Sequence, residues 1–309
     1  MLPTELTDRL TKQFGSSAVS AMLAAFKVER PTTLRVNTLK TDDAAVMQVF
    51  RDEAIQFERV KTIPHAFVIK NRDDREMLEH SLTKAGHVYL QGLTSMLPPI
   101  LLDPQPGETV LDICAAPGSK TSQIAALMTA PLLPEEGSGV VGVGRVVACE
   151  ENSIRFQKLQ NTLTIQGAAI VEPLLCDATL LPHEMPDAFD RVLADVPCSA
   201  EGRITGSKRS YSFWSEKNIV AHAKLQRRLL RSAFGCLKPG GVLVYSTCTL
   251  APEENEGMVD WFLAEYPSMK SEPVTVPFAP LVTHKNKSVT LLPSPAAEGF
   301  FVAKLRKTC

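Results

Sequence analysis

The chain has no run of 18 or more apolar residues, so no membrane-spanning helix is expected. Its opening stretch, MLPTELTDRLTKQFG, is charged early and lacks the apolar core of a signal peptide. A soluble protein of the cytoplasm is the expectation. Charge of one sign is not in excess either: 33 lysines and arginines face 34 aspartates and glutamates, a net charge of −1. That balance neither favours nor excludes a polyanionic partner, because a near-neutral chain can still gather its cations on one face. Cysteine is not patterned. The seven lie at 114, 149, 176, 198, 236, 248 and 309, with no C-x-x-C pair, and the six histidines are scattered. Neither a disulfide scaffold nor a zinc site is expected, no metal is called for, and all seven read as reduced thiols. There is no internal repeat.

What is present is an ordinary globular composition, 44% hydrophobic and 22% charged over 309 residues, enough for one large α/β domain and a smaller module. From Thr109 onward, short β-like runs alternate with helical stretches. The runs are TVLDIC (109–114), RVVACE (145–150), 169–176, RVLAD (191–195), GVLVYS (241–246) and FFVAKL (300–305). Helices are expected near 119–128, 153–165, 216–237 and 252–265. This alternation is the pattern of a parallel sheet covered by helices. Residues 1–85 read differently, as a helix followed by strand, helix, strand, strand and helix, which suggests a small α+β module. The expected division is therefore 1–85 and 86–309, with the apolar segment 86–103 packing across the junction. The stretches 131–144 and 267–295 read as excursions.

Two glycine loops compete as a nucleotide site. Gly137-Ser-Gly139-Val-Val-Gly142 has the letters of a dinucleotide fingerprint. It runs into a strand instead of opening a helix, so no helix N-terminus would meet a phosphate, and the match is read as accidental. Asp112 to Thr121 follows a strand and leads straight into a helix, at the carboxyl edge where open α/β sheets bind ligands. Its small residues Ala115, Ala116 and Gly118 let a ligand approach the backbone. Glu150, ending the next strand, stands where an acid accepts ribose hydroxyls.

Two further strand ends, ADVPCSAEGR (194–203) and YSTCTL (245–250), place Cys198 and Cys248 just beyond neighbouring strands on that same edge. With DICAAPGSKT, the extended run YSTCTLAPEENE, LRVNTLK (34–40) and the G-x-V-x-x-Q-x-x-x-S run at 86–95, these segments resemble the Sun/NSUN (RsmB/RsmF-like) family of RNA cytosine-5 methyltransferases. The resemblance covers nearly the whole chain in order. It implies a Rossmann-like methyltransferase domain that binds S-adenosylmethionine, preceded by an RRM-like module. It also implies that Cys248 attacks the base and Cys198 assists product release. For the cofactor it implies Cys114, Ala115, Ala116, Pro117, Gly118, Ser119 and Lys120, then Glu150 (aspartate in parts of the family), Asp177 and Asp195.

The chemistry suits those residues. Carbon 5 of cytosine is a poor nucleophile until a thiolate adds at carbon 6. A free thiol is mostly protonated at neutral pH, so a nearby cation should help, and Lys120 is one candidate. Asp195 would bond the cofactor or the cytosine edge. RNA (rRNA or tRNA) is the expected partner, and a monomer the expected state. Eight basic residues at 203, 208, 209, 217, 224, 227, 228 and 231 interleave with Tyr211, Phe213 and Trp214, the means by which single-stranded nucleic acid is commonly held. The chain runs only a few residues past FFVAKL, so no appended PUA-like domain is expected. Target choice would then rest on the N-terminal module and the catalytic face. A DNA cytosine-5 methyltransferase is the rival enzyme, but there the Pro-Cys loop supplies the nucleophile, and Cys248 disfavours it. A catalytically silent RNA-binding assembly factor would not need both cysteines and Asp195. A nicotinamide oxidoreductase rests on the 137–142 loop alone.

Overall fold

The computed structural model describes residues 2–129, 144–212, 214–276 and 280–308; the Gly137–Gly142 loop and Phe213 lie outside them. Helix α1 (Thr4–Ala25), interrupted at Gly15 (φ 80°), leads into β1 (Thr33–Val36), α2 (Asp43–Asp52), β2 (Phe57–Arg59), β3 (Ala66–Ile69), α3 (Asp74–Glu79), α4 (Ser81–Lys84) and β4 (Val88–Leu90). Asp42 caps α2 by accepting from the Ala45 amide, and Asp73 and Glu76 form a reciprocal capping box on α3. The four strands make an antiparallel sheet in the order β2-β3-β1-β4. It is filled by Leu34, Val36, Val46, Phe50, Phe67 and Met77. This sheet takes in Val88–Leu90, on the far side of the boundary expected after residue 85, because β4 pairs with β1.

The second sheet follows α5 (Leu97–Leu102). It contains β5 (Thr109–Asp112), β6 (Arg145–Glu150), β7 (Val171–Leu175), β8 (Phe189–Asp195) and β9 (Leu237–Thr247), all parallel. Its helices are α6 (Ser119–Met128), α7 (Ser153–Gln166), α8 (Leu181–Glu184), α9 (Glu216–Cys236) and α10 (Glu256–Glu265). The strands β10 (Met269–Glu272), β11 (Leu281–Thr283), β12 (Val289–Leu291) and β13 (Phe300–Lys307) complete it. Three of these, β10 to β12, lie in the region read as an excursion. They were hidden because each is only three or four residues long. The order is β11-β12-β13-β9-β8-β5-β6-β7.

The central strands are buried along nearly their whole length, as their unbroken apolar runs require of a sheet covered on both faces. Asn152 and Gly167 bound α7 as N-cap and left-handed C-cap (φ 68°). Strand order reverses at β5, which has β6 on one side and β8 on the other, so a crevice opens at the carboxyl ends of these strands. One expectation fails nearby. Cys149 is the last residue but one of β6, Cys176 follows β7, and the two are joined as a disulfide instead of standing as thiols. Twenty-seven residues separate them in sequence, and only the side-by-side parallel pairing of the two strands brings them together.

The two modules share buried surface. Leu93, Met96, Leu97 and Leu102 pack between Ile63 and Ala66 of the first sheet and Val110, Val146 and Val244 of the second. Helix α1 docks with Leu6, Leu10 and Met22 against Ile204, Leu250 and Leu292, so it belongs to the catalytic body. Asn37, fully buried, donates from Nδ2 to the carbonyls of Gly86 and Gln166, 2.8 Å each, tying the first module to the end of α7. Leaving two buried carbonyls unpaired costs about 1–3 kcal/mol apiece. Asn37→Ala is therefore expected to lower stability by about 3 kcal/mol, read as a lower urea midpoint at unchanged slope. An unchanged midpoint would show that the bridge contributes nothing.

Candidate active site

Three strand ends build the crevice. After β5, Asp112 is buried and accepts from Thr121 Oγ1 at 2.8 Å and, at 3.4 Å, from the Cys114 amide, which folds the loop back on itself. Burial pushes the Asp112 carboxyl up to about 6. Gly118 takes φ 106°, and a Cβ there would meet Thr162 at 3.1 Å and Leu159 at 3.2 Å, so the loop lies close against α7. Asp195 ends β8, and the Pro197–Cys198 turn follows. After β9 comes Cys248.

The pairing of β8 with β9 sets Asp195 opposite Ser246, and Ser246 donates to Asp195 Oδ1 at 2.7 Å. The same pairing carries the two cysteine loops side by side: Cys198 Sγ and Cys248 Sγ are 3.1 Å apart. Both thiols line a cavity of about 570 Å³ together with Cys114, Ala116, Pro117, Ser119, Lys120 and Asp195. A smaller cavity of about 90 Å³ is lined by Ile113, Glu150, Asp177, Ala178 and Leu229. Cys114, Arg155 and Pro197 line both, so the two adjoin.

The charges are arranged asymmetrically. Hydrogen bonding from the Cys198 thiol, aided by the field of Arg203, holds Cys248 below the ordinary thiol value against its burial. Cys198 moves the other way. Its bond to Cys248 and its burial push it well above that value, with Glu254 adding to the effect. Cys248 is thus the more acidic sulfur of the pair. Lys120, expected as a cation beside the thiol, pairs instead with Asp195 Oδ2 at 2.7 Å and donates to Ser95 at 2.8 Å. The cation acting on Cys248 is Arg203. Sequence reading singled it out only as part of a basic stretch, because the backbone bond from the Gly202 amide to the Cys248 carbonyl (2.9 Å) that brings it there is long-range.

Buried carboxylates brace both loops. Glu254 accepts from the Ser199 amide at 3.1 Å, the Ser199 hydroxyl at 2.5 Å and Gln226 Nε2 at 2.7 Å. Asn255 accepts from Thr247 Oγ1 at 2.6 Å and donates to the Thr249 carbonyl. Glu201 accepts from Trp214 Nε1 at 2.7 Å.

On the small cavity's side, Glu150 is 3% exposed and its Oε2 has no hydrogen-bond partner. Arg155 lies 3.2 Å from that oxygen and donates to the Ala116 carbonyl at 2.8 Å. It was missed because the first turn of α7 carries no motif. Asp177 caps the turn after β7 and lies 3.7 Å from Arg228. A buried carboxylate, a loop of small residues and flanking apolar walls are what a nucleoside-bearing cofactor requires. Among the described residues, no cluster of three or more His, Cys, Asp or Glu is placed to hold a metal, and no helix is long and apolar enough to cross a membrane.

Within the basic stretch 203–231, Arg203 lines the thiol cavity while Lys217, Lys224, Arg227, Arg228 and Arg231 are exposed on α9. Arg227 and Arg231 lie over the Trp261 ring at 5.0 and 5.3 Å, Arg231 also pairs with Glu265, and Trp214 packs with α1. The helical period of α9 sets Lys217, Lys224, Arg228 and Arg231 on one exposed face, at spacings of seven, four and three residues.

Residues 99–306 match the family of the 16S rRNA methyltransferase RsmB/F. The chain belongs to that RNA methyltransferase family. Residues 2–75 match the ferredoxin-like domain of RsmF/B-like methyltransferases, in keeping with the β2-β3-β1-β4 sheet and with the expected RRM-like module. The tRNA (cytosine(49)-C(5))-methyltransferase of Pyrococcus abyssi is 34% identical over 318 residues, covering 98% of this chain and 96% of its own. Ribosomal RNA small subunit methyltransferase F of Pectobacterium atrosepticum is 34% identical over 99% of this chain, which spans 63% of that relative's length. The crystal structure of PH0851 superposes with TM-score 0.88 at 31% identity, covering 99% of this chain and 66% of that one. NSun6 from Pyrococcus horikoshii, solved with SFG, shares the fold at TM-score 0.84 and 24% identity over 100% of this chain and 99% of its own.

In this RsmB/F family member the sulfur asymmetry is directly measurable. Iodoacetamide reacts with the thiolate, so Cys248 labelling followed by peptide mass spectrometry should rise at a pH below that of an ordinary thiol. Cys198 should label only at markedly higher pH, and Arg203→Met should move the Cys248 midpoint upward. Coincident midpoints for the two cysteines would contradict this asymmetry.

Proposed function

We propose that this protein is an S-adenosylmethionine-dependent methyltransferase that converts a cytosine of rRNA or tRNA to 5-methylcytosine, with Cys248 as nucleophile. The observation that carries the reading is the pair of touching thiols, Cys248 the more acidic, in one cavity with the Lys120–Asp195 pair and the 114–120 loop. When bound, S-adenosylmethionine supplies an electrophilic methyl group; Glu150 Oε2 would accept from its ribose, and the 114–120 loop would line its path to the larger cavity.

The chain's own groups account for the rest. Cys248 Sγ forms a bond to carbon 6, and the displaced electron pair moves to carbon 5, which then takes the methyl. Asp195, held by Lys120 and Ser246, faces the cavity where it can bond the cytosine edge. Carbon 5 must next lose its proton so that the carbon–sulfur electron pair can return to Cys248. Cys198 is suited to that step. Once Cys248 is a neutral thioether it no longer opposes ionisation of Cys198, which can release its proton to solvent and, as the thiolate, take the proton from carbon 5.

Methyl transfer from tritiated S-adenosylmethionine to total RNA tests the reading, with bisulfite sequencing of RNA from cells lacking the gene identifying the cytosine. Cys248→Ala should lose activity by on the order of 10³-fold or more. Cys198→Ala should accumulate a covalent protein–RNA adduct, visible as a retarded band on a denaturing gel. A Cys248→Ala protein that still methylates cytosine sinks the mechanism.

A further inference from the structure

A larger cavity, about 980 Å³, lies beside the thiol cavity and is lined by the end of α1, by Ile69–Glu76 of the first module and by Thr205–Ser207. Several of its acids are committed to the protein itself. Asp73 and Glu76 cap α3 reciprocally, and Asp74 accepts from Thr32 Oγ1 at 2.6 Å. Arg30 is not committed in this way. Its side chain is 18% exposed, yet Nε and Nη2 are buried without a hydrogen-bond partner, and Nη1 stands 4.0 Å from Glu298 Oε1. A desolvated guanidinium with unused donors is costly unless something anionic completes it. Burial accordingly lowers its pKa, and the neighbouring charge of Arg203 lowers it further.

Glu298 lies between the two arginines, 3.5 Å from Arg203 Nε, and lines both cavities. Two cations thus share one carboxylate, at contacts too long for good hydrogen bonds. The backbone fixes this cluster beside the nucleophile. The Gly299 amide donates to the Gly202 carbonyl, and the Gly202 amide donates to the Cys248 carbonyl, 2.9 Å each. A Cβ at Gly202 would stand 2.1 Å from the Gly299 oxygen, so this close approach demands glycine.

We propose that Arg30 and Arg203, on either side of Glu298, form the seat of a backbone phosphate of single-stranded RNA, next to the nucleotide whose base enters the thiol cavity. The inference rests on the RNA reading above and adds a specific contact to it. Guanidinium forks match phosphate oxygens, and the strand would run from the larger cavity across this seat into the smaller one. A phosphate there completes Arg30 and competes with Glu298 for both arginines.

The probe is a fluorescein-labelled single-stranded RNA of about 12 nucleotides containing cytosine, bound to the full chain and followed by anisotropy across a salt series. Arg30→Gln should weaken binding about tenfold at low salt and flatten the log–log salt slope by about 0.7, one phosphate's worth for single-stranded nucleic acid. Arg30→Lys should restore the slope in part. Glu298→Gln should tighten binding several-fold, which a merely destabilised fold would not do. The proposal fails if the wild type does not bind, if Arg30→Gln keeps the full slope, or if Glu298→Gln does not bind more tightly. The catalytic reading is judged separately by methyl transfer. A wild type that methylates while these variants bind unchanged overturns the phosphate seat alone. One that binds as expected without methylating leaves the seat standing and overturns the activity.

Discussion

The parallel pairing of β8 with β9 is the constraint on which the site depends. Opposing Asp195 to Ser246 places the two loops that leave these strands level with each other, and the sulfurs of Cys198 and Cys248 meet at 3.1 Å although 50 residues separate them. A slip of one residue in this register would turn Asp195 away from the crevice and part the thiols, because successive side chains point to opposite faces. Two sulfurs in contact in a buried place cannot both ionise at low cost, so the thiolate of one is favoured by the thiol of the other and the second proton is held more tightly. Division of labour between the cysteines follows from that proximity.

Holding irregular loops at such a distance requires partners for their backbone and hydroxyl groups. Glu254, Asn255 and Glu201 supply them from the segments that border the loops, and Tyr245 OH donates to the Glu254 carbonyl from within β9. Burial raises the carboxyls of Glu254 and Glu201, as it must where acids are desolvated, while their hydroxyl, amide and indole donors pull the other way. The PEENE run after Cys248 is thus part of the scaffold that positions the sulfur.

Much of this was legible beforehand. The unbroken apolar runs and the strand–loop–helix passage through Asp112–Lys120 are local signals, and the strands and helices they mark stand where expected. Other features were not legible. Arg155 and Glu298 carry no motif, and their meaning comes from neighbours 39 residues away in one case and 95 or more in the other. Cys149 and Cys176 misled because only strand pairing brings them together.

The sequence by itself therefore determined the alternation of elements, the carboxyl edge at which chemistry-bearing residues collect, and the identity of both candidate sulfurs, since all three are written in short-range patterns of burial and turn chemistry. The tertiary structure alone decided which sulfur is the more acidic, that Lys120 serves Asp195 while Arg203 serves Cys248, and that Arg30 reaches the site from the first module. Those are matters of field and desolvation, set by distances between residues far apart in the chain, and no local pattern encodes them.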